Sequence, residues 1–131
     1  MPYLLDTTVV IDHVDGKFGA PQVLARLFEE TSDIYICDAV VAEAMSKGDD
    51  EQIRWVDRLL QAFEYVSTSP DAARRAGERR RSRGQSSSRR LGDSLIVGVA
   101  WQLGATIVTR NPRDFEDAGV PVLAYGPAAQ S

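Results

Sequence analysis

The sequence predicts an α/β protein with three layers, in which a short, mostly parallel sheet of four to five strands is covered by helices on both faces. Short apolar segments that suit strands alternate along the chain with segments of helical periodicity, and this order calls for parallel strands joined by helical crossovers. The strand-like segments are also apolar without interruption, as expected where both faces of a strand are covered. The length of 131 residues predicts a single domain that spans residues 1–131.

The N-terminal third of the chain supplies two strands and three candidate helices. Segment 3–6, YLLD, is a short buried strand, and segment 8–14, TVVIDHV, continues it as a short helix or a turn. Segment 21–31, PQVLARLFEET, is a helix because proline occupies its first position and its apolar residues recur at helical spacing. Segment 33–37, DIYIC, is a second strand, and segment 39–47, AVVAEAMSK, is the helix that follows it.

The middle of the chain supplies one strand between two helices. Segment 50–63, DEQIRWVDRLLQAF, is an amphipathic helix with apolar residues along one side. Segment 64–68, EYVST, is a third strand, and segment 70–81, PDAARRAGERRR, begins with proline and is helical. Segment 82–90, SRGQSSSRR, is a loop because its serines and glycine break the helical pattern.

The C-terminal part of the chain begins with the most apolar helix, 91–104, LGDSLIVGVAWQLG, which should be buried because it is apolar nearly all round. Segment 105–109, ATIVT, is a fourth strand. Segment 110–119, RNPRDFEDAG, is a loop with about one turn of helix, and segment 120–125, VPVLAY, is a last short strand.

The composition is that of a soluble globular protein of the cytoplasm. Hydrophobic residues make up 44% and charged residues 26% of the chain. No apolar stretch approaches the roughly 20 residues of a membrane span, and the N-terminus has no secretory signal pattern. The lone cysteine, Cys37, has no partner in the chain, which fits a reducing compartment. We therefore expect a cytoplasmic protein with no membrane partner.

Positive charge is concentrated in one segment of an otherwise acidic chain. Residues 70–90 contain eight arginines, no lysine and two acids, giving +6, and the rest of the chain therefore carries −10 because the whole carries −4. A solvated helix face running into a loop is the ordinary explanation of such a run. The exclusive use of arginine instead favours binding to phosphates or to an acidic segment, because guanidinium groups pair bidentately with both.

Four acids and one asparagine fall just after predicted strands or at predicted helix starts, and each alone has an ordinary explanation. Asp6 could cap the following helix, and Glu43 could form an exposed ion pair with the lysine four residues later. Asn111 and Asp114 suit a turn. Asp93 is harder to dismiss, because it lies in the first turn of the buried helix, where a carboxylate needs a compensating partner.

Together these residues predict a cation site. The carboxyl ends of parallel strands meet at one edge of a sheet, and carboxylates gathered there repel one another unless a cation neutralises them. With no cluster of cysteine or histidine, the oxygen donors select a hard cation, Mg²⁺ or Mn²⁺. Such a pocket beside an arginine-rich segment favours the hydrolysis of phosphodiester bonds.

Three blocks of the sequence resemble PIN-domain ribonucleases, and most closely the VapC-type toxins of bacterial toxin–antitoxin pairs. They are LLDTTVVID near the start, VAEAM around Glu43, and GDSLIVGVAWQLGATIVTRNPRDF near the end. The last block is the most specific, and the resemblance covers nearly the whole chain.

The resemblance implies an Mg²⁺ site and assigns roles to individual residues. Asp6 and Asp93 match the aspartates that bind magnesium, and Glu43 matches the third acid of the pocket. Asp114 matches a less constant fourth acid, with Asn111 as the polar residue before it, so either could be the fourth ligand. The hydroxyl positions beside the pocket correspond to Thr7 and Thr109.

Two positions depart from the family pattern. Gly92 stands where such toxins commonly carry alanine, which loosens the helix start slightly. Asn111 stands where many relatives carry aspartate, so that a site using it as the fourth ligand would have one negative charge less.

These features predict an Mg²⁺-dependent endoribonuclease, the toxin of a toxin–antitoxin pair, that is neutralised by a cognate antitoxin and assembles as a homodimer or a toxin–antitoxin hetero-oligomer. The candidate RNA contacts are the arginines at the end of the basic segment: Arg79, Arg80, Arg81, Arg83, Arg89 and Arg90. Two alternatives stay open: a non-catalytic RNA-binding module with the same fold, and an aspartate-dependent Mg²⁺ phosphatase or receiver-like domain. The phosphatase pattern wants a second aspartate at position 8, which is threonine.

Overall fold

Strands and helices alternate along the chain in the computed structural model, which describes residues 1–82, 91–116 and 118–127. The strands are β1 (Tyr3–Leu5), β2 (Ile34–Cys37), β3 (Glu64–Val66), β4 (Thr106–Thr109) and β5 (Val122–Ala124). The helices are α1 (Thr7–Asp15), α2 (Ala20–Glu30), α3 (Asp38–Ala44), α4 (Asp50–Leu60), α5 (Pro70–Ser82) and α6 (Leu91–Leu103). A 3₁₀ turn covers Pro112–Phe115. The predicted loop 82–90 lies outside the described residues from position 83 onward.

The strands form one five-stranded sheet in the order β3-β2-β1-β4-β5, and each neighbouring pair is parallel. In this register Leu4 lies opposite Tyr35 of β2 on one side and Ile107 of β4 on the other. The predicted parallel α/β fold is therefore confirmed, with the larger of the two strand counts. Because all five strands point the same way, their carboxyl ends share one edge of the sheet, which we call the carboxyl edge.

Helices cover both faces of the sheet. From β1 the chain steps outward to β2 and β3, and it then crosses back to β4 on the other side of β1. Right-handed connections place helices α1, α2 and α4 on one face and α5 and α6 on the opposite face. Helix α3 packs on both α1 and α6, so it lies at the carboxyl edge between the two layers. This position brings residues of α3 close to the start of α6.

The two central strands are the most deeply buried part of the fold. Leu4, Leu5, Ile107 and Val108 have no exposed surface, which accounts for the uninterrupted apolar character of these strands. The edge strand β3 is exposed at Glu64 and Tyr65, as expected where only one neighbour is present. None of the helices in the described ranges is both long and apolar enough to cross a membrane.

Segment 8–14, which the sequence leaves open between helix and turn, is helical. Helix α1 ends at Asp15, and Gly16 follows it in the left-handed conformation at φ 66°. The Gly16 N–H donates to the carbonyl oxygens of Asp12 and His13, which satisfies the free end of the helix. The β-branched residues of this segment lower helix propensity, but burial of Val9 and Val10 against the sheet compensates for that loss.

Candidate active site

Asp6 lies at the carboxyl end of β1 and is 5% exposed. It occupies the residue before α1, yet its side chain makes no capping hydrogen bond to the helix. Its Oδ2 instead accepts hydrogen bonds from the Thr8 hydroxyl at 3.0 Å and from the Thr109 hydroxyl at 2.7 Å. The carboxylate is therefore fixed by two hydroxyl groups from two parts of the fold, rather than used as a helix cap.

A chain of hydrogen bonds extends from the Thr109 hydroxyl to the 3₁₀ turn. The Thr109 Oγ1 accepts from the backbone N–H of Asn111 at 2.9 Å, and the Asn111 side-chain amide donates to Asp114 Oδ2 at 2.8 Å. Asn111 is 9% exposed, so this amide is held in place by burial as well as by its partners. Asp6 and Asp114 are thus linked through two intervening residues at the carboxyl edge: the hydroxyl of Thr109, and the backbone N–H and side-chain amide of Asn111.

Glu43 lies where α3 packs against the start of α6, the turn that carries Asp93. A Cβ atom placed on Gly92 would lie 3.2 Å from Glu43 Oε2, so the carboxylate of Glu43 rests against the first turn of α6. Asp93 is the next residue of that turn and is half-buried. The glycine at position 92 allows this close approach, because an alanine methyl group would require the glutamate to shift by a few tenths of an ångström.

The buried carboxylate of Asp6 has an altered proton affinity. Burial raises the pKa of Asp6 from 3.8 to about 6, the hydrogen bonds from Thr109 and Thr8 oppose that rise, and the negative charge of Glu43 adds to it. The carboxylates of Asp6 and Glu43 are therefore close enough to repel one another. A pocket that disfavours its own ionisation is one in which a bound cation would be stabilising.

The donor set fits a hard cation. All the side chains concerned offer oxygen, which Mg²⁺ and Mn²⁺ prefer, and the hydroxyl oxygen of Thr7 is buried with no hydrogen-bond partner among the described residues. No group of three or more histidine, cysteine or acidic side chains in the described ranges is already gathered for metal binding. Mg²⁺ does not require such a group, because it keeps several waters and commonly binds through one or two carboxylates.

The structure brings most of the predicted pocket residues to one edge of the sheet: Asp6, Glu43, Asp93, Thr109, Asn111 and Asp114. Thr7 is also buried, but the Thr8 hydroxyl rather than the Thr7 hydroxyl donates to the Asp6 carboxylate. Among the predicted RNA contacts, Arg79 and Arg80 are half-buried and Arg81 is exposed. The other three, Arg83, Arg89 and Arg90, lie outside the described residues.

Arg79, one of the candidate RNA contacts, is half-buried and hydrogen-bonded within the protein. Its Nη1 donates to the Ser94 hydroxyl at 3.1 Å, and its Nη2 donates to the backbone carbonyl of Asp114 at 2.8 Å. The sequence contains a signal for this position, because Arg79 follows the buried Ala72 and Ala76 at spacings of seven and three residues on one helix face. Its side chain therefore points from α5 toward α6 and the 3₁₀ turn.

A second buried polar cluster, missed by the sequence analysis, supports the loop after β4. Arg110 Nε donates to Asp12 Oδ2 at 2.6 Å, and the Tyr125 hydroxyl donates to the same oxygen at 2.8 Å. The Arg110 guanidinium also lies 4.0 Å from the ring centre of Phe18. Burial and the hydrogen bond to Asp12 raise the pKa of the Tyr125 phenol. Because the Arg110 backbone N–H donates to the Thr8 hydroxyl at 3.2 Å, this cluster reaches the Asp6 site through one residue.

Known proteins share the sequence pattern and the fold of this chain. A family model described as PIN domain matches residues 3–121. A protein named Ribonuclease VapC19 from Mycobacterium tuberculosis is 29% identical over 114 residues, which cover 86% of this chain and 90% of that protein.

Solved structures show the same fold. A chain in a toxin–antitoxin complex from Klebsiella pneumoniae has a TM-score of 0.75 at 26% identity, covering 93% of this chain and 96% of that chain. A chain of VapBC2 from Rickettsia felis, solved bound to a DNA fragment from its promoter, has a TM-score of 0.78 at 22% identity, covering 95% and 99% respectively.

Fold and site together define a class: parallel α/β proteins that carry an acidic pocket at the carboxyl edge of the sheet. Within that class, the match over residues 3–121 shows that the chain belongs to the PIN domain family. The resemblance stated from the three sequence blocks is therefore confirmed.

Proposed function

We propose that this protein is an Mg²⁺-dependent endoribonuclease that acts as the toxin of a toxin–antitoxin pair. One observation carries the proposal: the buried carboxylate of Asp6 is fixed at the carboxyl edge within the field of Glu43, whose own carboxylate rests against the turn that bears Asp93. The names of similar proteins support it, since they include Ribonuclease VapC19 and Ribonuclease VapC11, both from Mycobacterium tuberculosis.

The pocket residues would have two kinds of role: some would bind the cation, and others would orient the attacking water molecule or accept its proton. Asp6 and Asp93 would hold Mg²⁺ directly. Glu43 and Asp114 would orient the attacking water or accept its proton. The hydrogen bond from the Asn111 amide to Asp114 Oδ2 favours Asp114 as the fourth acid, with Asn111 holding it in place.

Hydrolysis at this pocket needs no covalent intermediate with the protein. When bound, Mg²⁺ would supply positive charge to the phosphate oxygens and would lower the pKa of a nearby water. Water would add to phosphorus in line with the leaving oxygen, and the P–O bond opposite would break. The Thr8 and Thr109 hydroxyls would keep the Asp6 carboxylate in one orientation throughout.

The arginine-rich segment would bind the RNA backbone. Arg81 is exposed at the C-terminal end of α5, and the half-buried Arg80 precedes it. Contacts of this kind carry no sequence information and weaken as salt rises. Single-stranded or loop RNA is the expected target, since its bases can be splayed and stacked.

A small antitoxin would be the protein partner. Similar proteins have been solved as toxin–antitoxin complexes, including those from Klebsiella pneumoniae and Rickettsia felis. The antitoxin would cover the acidic pocket and lay an amphipathic segment in a groove between helices. Toxin, antitoxin and RNA would meet in the cytoplasm. The toxin would assemble as a homodimer or as a hetero-oligomer with the antitoxin.

The test is cleavage of a labelled single-stranded RNA by the purified protein. We expect cleavage with Mg²⁺, none with EDTA, and a loss of about a hundredfold or more in Asp93→Asn. Asp71→Asn is the matched control, because Asp71 is exposed on α5 and pairs only with Arg74 in the described structure. Equal cleavage by wild type and Asp93→Asn would overturn the assignment, and RNA binding without products would favour the non-catalytic alternative.

A further inference from the structure

Helices α5 and α6 approach unusually closely, because small residues line their contact. A Cβ atom on Gly98 of α6 would lie 2.3 Å from the backbone carbonyl oxygen of Ala72 in α5, so only glycine fits there. Ala72 and Ala76 of α5 are both buried. The two helices run antiparallel, since Ala72 meets Gly98 and Arg79 meets Ser94. This packing fixes the C-terminal half of α5 beside the first turn of α6.

Arg79 extends from that contact to two elements of the acidic pocket. One guanidinium nitrogen donates to Ser94, which is fully buried and follows Asp93 directly. The other donates to the backbone carbonyl of Asp114, in the 3₁₀ turn. Because guanidinium is planar and its donors have a fixed geometry, the two bonds together constrain both the distance and the angle between the turn and the helix.

We propose that Arg79 is a positioning residue of the acidic pocket, whose guanidinium ties the turn that bears Asp114 to the turn of α6 that bears Asp93. The inference rests on the proposed function and deepens it. In place of the RNA contact that the sequence predicts for Arg79, it assigns this residue a role inside the pocket. Contact with the RNA backbone is then left to exposed arginines such as Arg81.

We expect the fold to tolerate removal of the Arg79 guanidinium, because open space adjoins it. A cavity of about 350 Å³ adjoins the guanidinium, lined by Arg75, Glu78, Ser82, Val97 and Ala118. In Arg79→Gln water can enter this polar space and hydrate the groups left behind. In Ser94→Ala the hydroxyl is removed from the opposite end of the same hydrogen bond, with little change in volume.

The first measurement uses no RNA. Mn²⁺ binding to the purified protein is measured by electron paramagnetic resonance for wild type, Arg79→Gln, Arg79→Lys and Arg74→Gln. Arg74 is the matched control because it lies on the same helix, is exposed, and pairs with Asp71 away from the pocket. We expect Arg79→Gln to weaken Mn²⁺ binding about tenfold, Arg79→Lys to recover part of that loss, and Arg74→Gln to bind as wild type does.

The second measurement is a double-mutant cycle on Mn²⁺ affinity with Arg79→Gln and Ser94→Ala. If both changes act through one hydrogen bond, the double variant should bind little more weakly than Arg79→Gln alone. Additive losses would contradict the linkage. Urea denaturation of each variant accompanies the cycle, so that a loss of Mn²⁺ binding in a folded protein is distinguished from a loss of fold.

Cleavage kinetics separate positioning from RNA contact. For Arg79→Gln we expect a lower kcat and a higher Mg²⁺ requirement, with KM for RNA nearly unchanged. If instead Mn²⁺ affinity and kcat stay as in wild type while RNA binding weakens and its salt dependence becomes shallower, Arg79 is a backbone contact and the proposal is wrong. If the wild type cuts no RNA, the proposed nuclease function fails, while Mn²⁺ binding and the cycle still decide the role of Arg79.

Discussion

Asp6 and Asp12 are two buried aspartates, 5% and 4% exposed, and the same substitution at each should change stability in opposite directions. Asp6 is held by hydroxyl groups beside another carboxylate, whereas Asp12 is paired with Arg110 at 2.6 Å. We predict that Asp6→Asn stabilises the metal-free protein at neutral pH, and that Asp12→Asn destabilises it.

The magnitude for Asp6 follows from its pKa. A rise from 3.8 to about 6 corresponds to about 3 kcal/mol, at about 1.4 kcal/mol for each tenfold change in proton affinity. Because the folded-state pKa lies above the unfolded value, the folded protein binds the proton more tightly. The protonated Asp6 therefore contributes its full stabilisation at pH values below the pKa of the unfolded state. This contribution is lost as the pH rises through the pKa of the folded state. The ionised Asp6 thus weakens the metal-free fold above about pH 6.

Asp12→Asn should lower stability because it leaves Arg110, the partner of Asp12, unpaired. Asp12→Asn leaves the guanidinium of Arg110, whose side chain is 16% exposed, without its counter-charge. Removing one member of such a pair costs about 3 kcal/mol or more. The aromatic ring of Phe18 beside Arg110 compensates only in part.

The assay is urea denaturation in EDTA of wild type, Asp6→Asn and Asp12→Asn, at about pH 4.5 and about pH 7.5. We expect Asp6→Asn to exceed wild type by about 3 kcal/mol at the higher pH and by only about 1 kcal/mol at the lower, which still lies above the unfolded pKa of 3.8. Excess Mg²⁺ should then stabilise wild type but not Asp6→Asn. An Asp6→Asn protein that is less stable than wild type at the higher pH, or a difference independent of pH, would refute this account of the pocket.

Three further changes test other parts of the structure. Gly98→Ala places a methyl group against a backbone carbonyl of α5 and should destabilise the fold by about 2 kcal/mol or more in urea denaturation. In contrast, a Cβ atom on Gly77 would meet no neighbouring atom within 4 Å, so Gly77→Ala should stabilise the fold by about 0.5–1 kcal/mol. Thr109→Val removes a hydroxyl that holds Asp6, and should lower kcat for RNA cleavage with a loss of about 1–2 kcal/mol in stability. Arg81→Gln should weaken RNA binding, measured by fluorescence anisotropy, and reduce its salt slope by about one; an unchanged slope would exclude a phosphate contact at this residue.

The order of elements could be predicted from sequence because each local pattern agrees with the fold. The helix 91–104 and the strand 105–109 are mostly apolar. The structure buries the strand and the helix residues 96–100, whereas Leu91 and Trp101 are exposed, so the expectation of a fully buried helix is correct only for its middle. The sequence leaves segment 8–14 open between helix and turn, because its β-branched residues lower helix propensity. Packing against the sheet stabilises the helical conformation of this segment, and the local sequence does not encode that packing.

The pocket could be predicted in part. Asp6 directly follows β1, Glu43 lies in the helix that follows β2, and Asp93 lies in the first turn of α6. In a parallel α/β fold the segments that follow the strands gather at one edge of the sheet. Which hydroxyl holds Asp6 could not be read in the same way, since Thr7 and Thr8 are adjacent and equivalent by pattern. The first turn of α1 decides it by directing the Thr8 hydroxyl to Asp6 Oδ2.

Long-range polar pairs were the part that sequence could not supply. Asp12 and Tyr125 are 113 residues apart along the chain, and nothing local marks them as partners. Arg79 was grouped with its neighbours by charge, although its spacing from two buried alanines places it on the inner face of α5. Consecutive charged residues occupy every face of a helix, so the charge alone does not show which of them points inward. The periodicity of the buried positions does show it.

The central claim is that acids from separate elements hold one divalent cation at the carboxyl edge. Crystals of the protein soaked in Mn²⁺ and measured at the manganese absorption edge test it most directly. The account predicts an anomalous peak about 2.2 Å from carboxylate oxygens of both Asp6 and Asp93, and its loss in Asp6→Asn. A peak that lies elsewhere, or an empty edge in a crystal whose Mn²⁺ binds other sites, would contradict it.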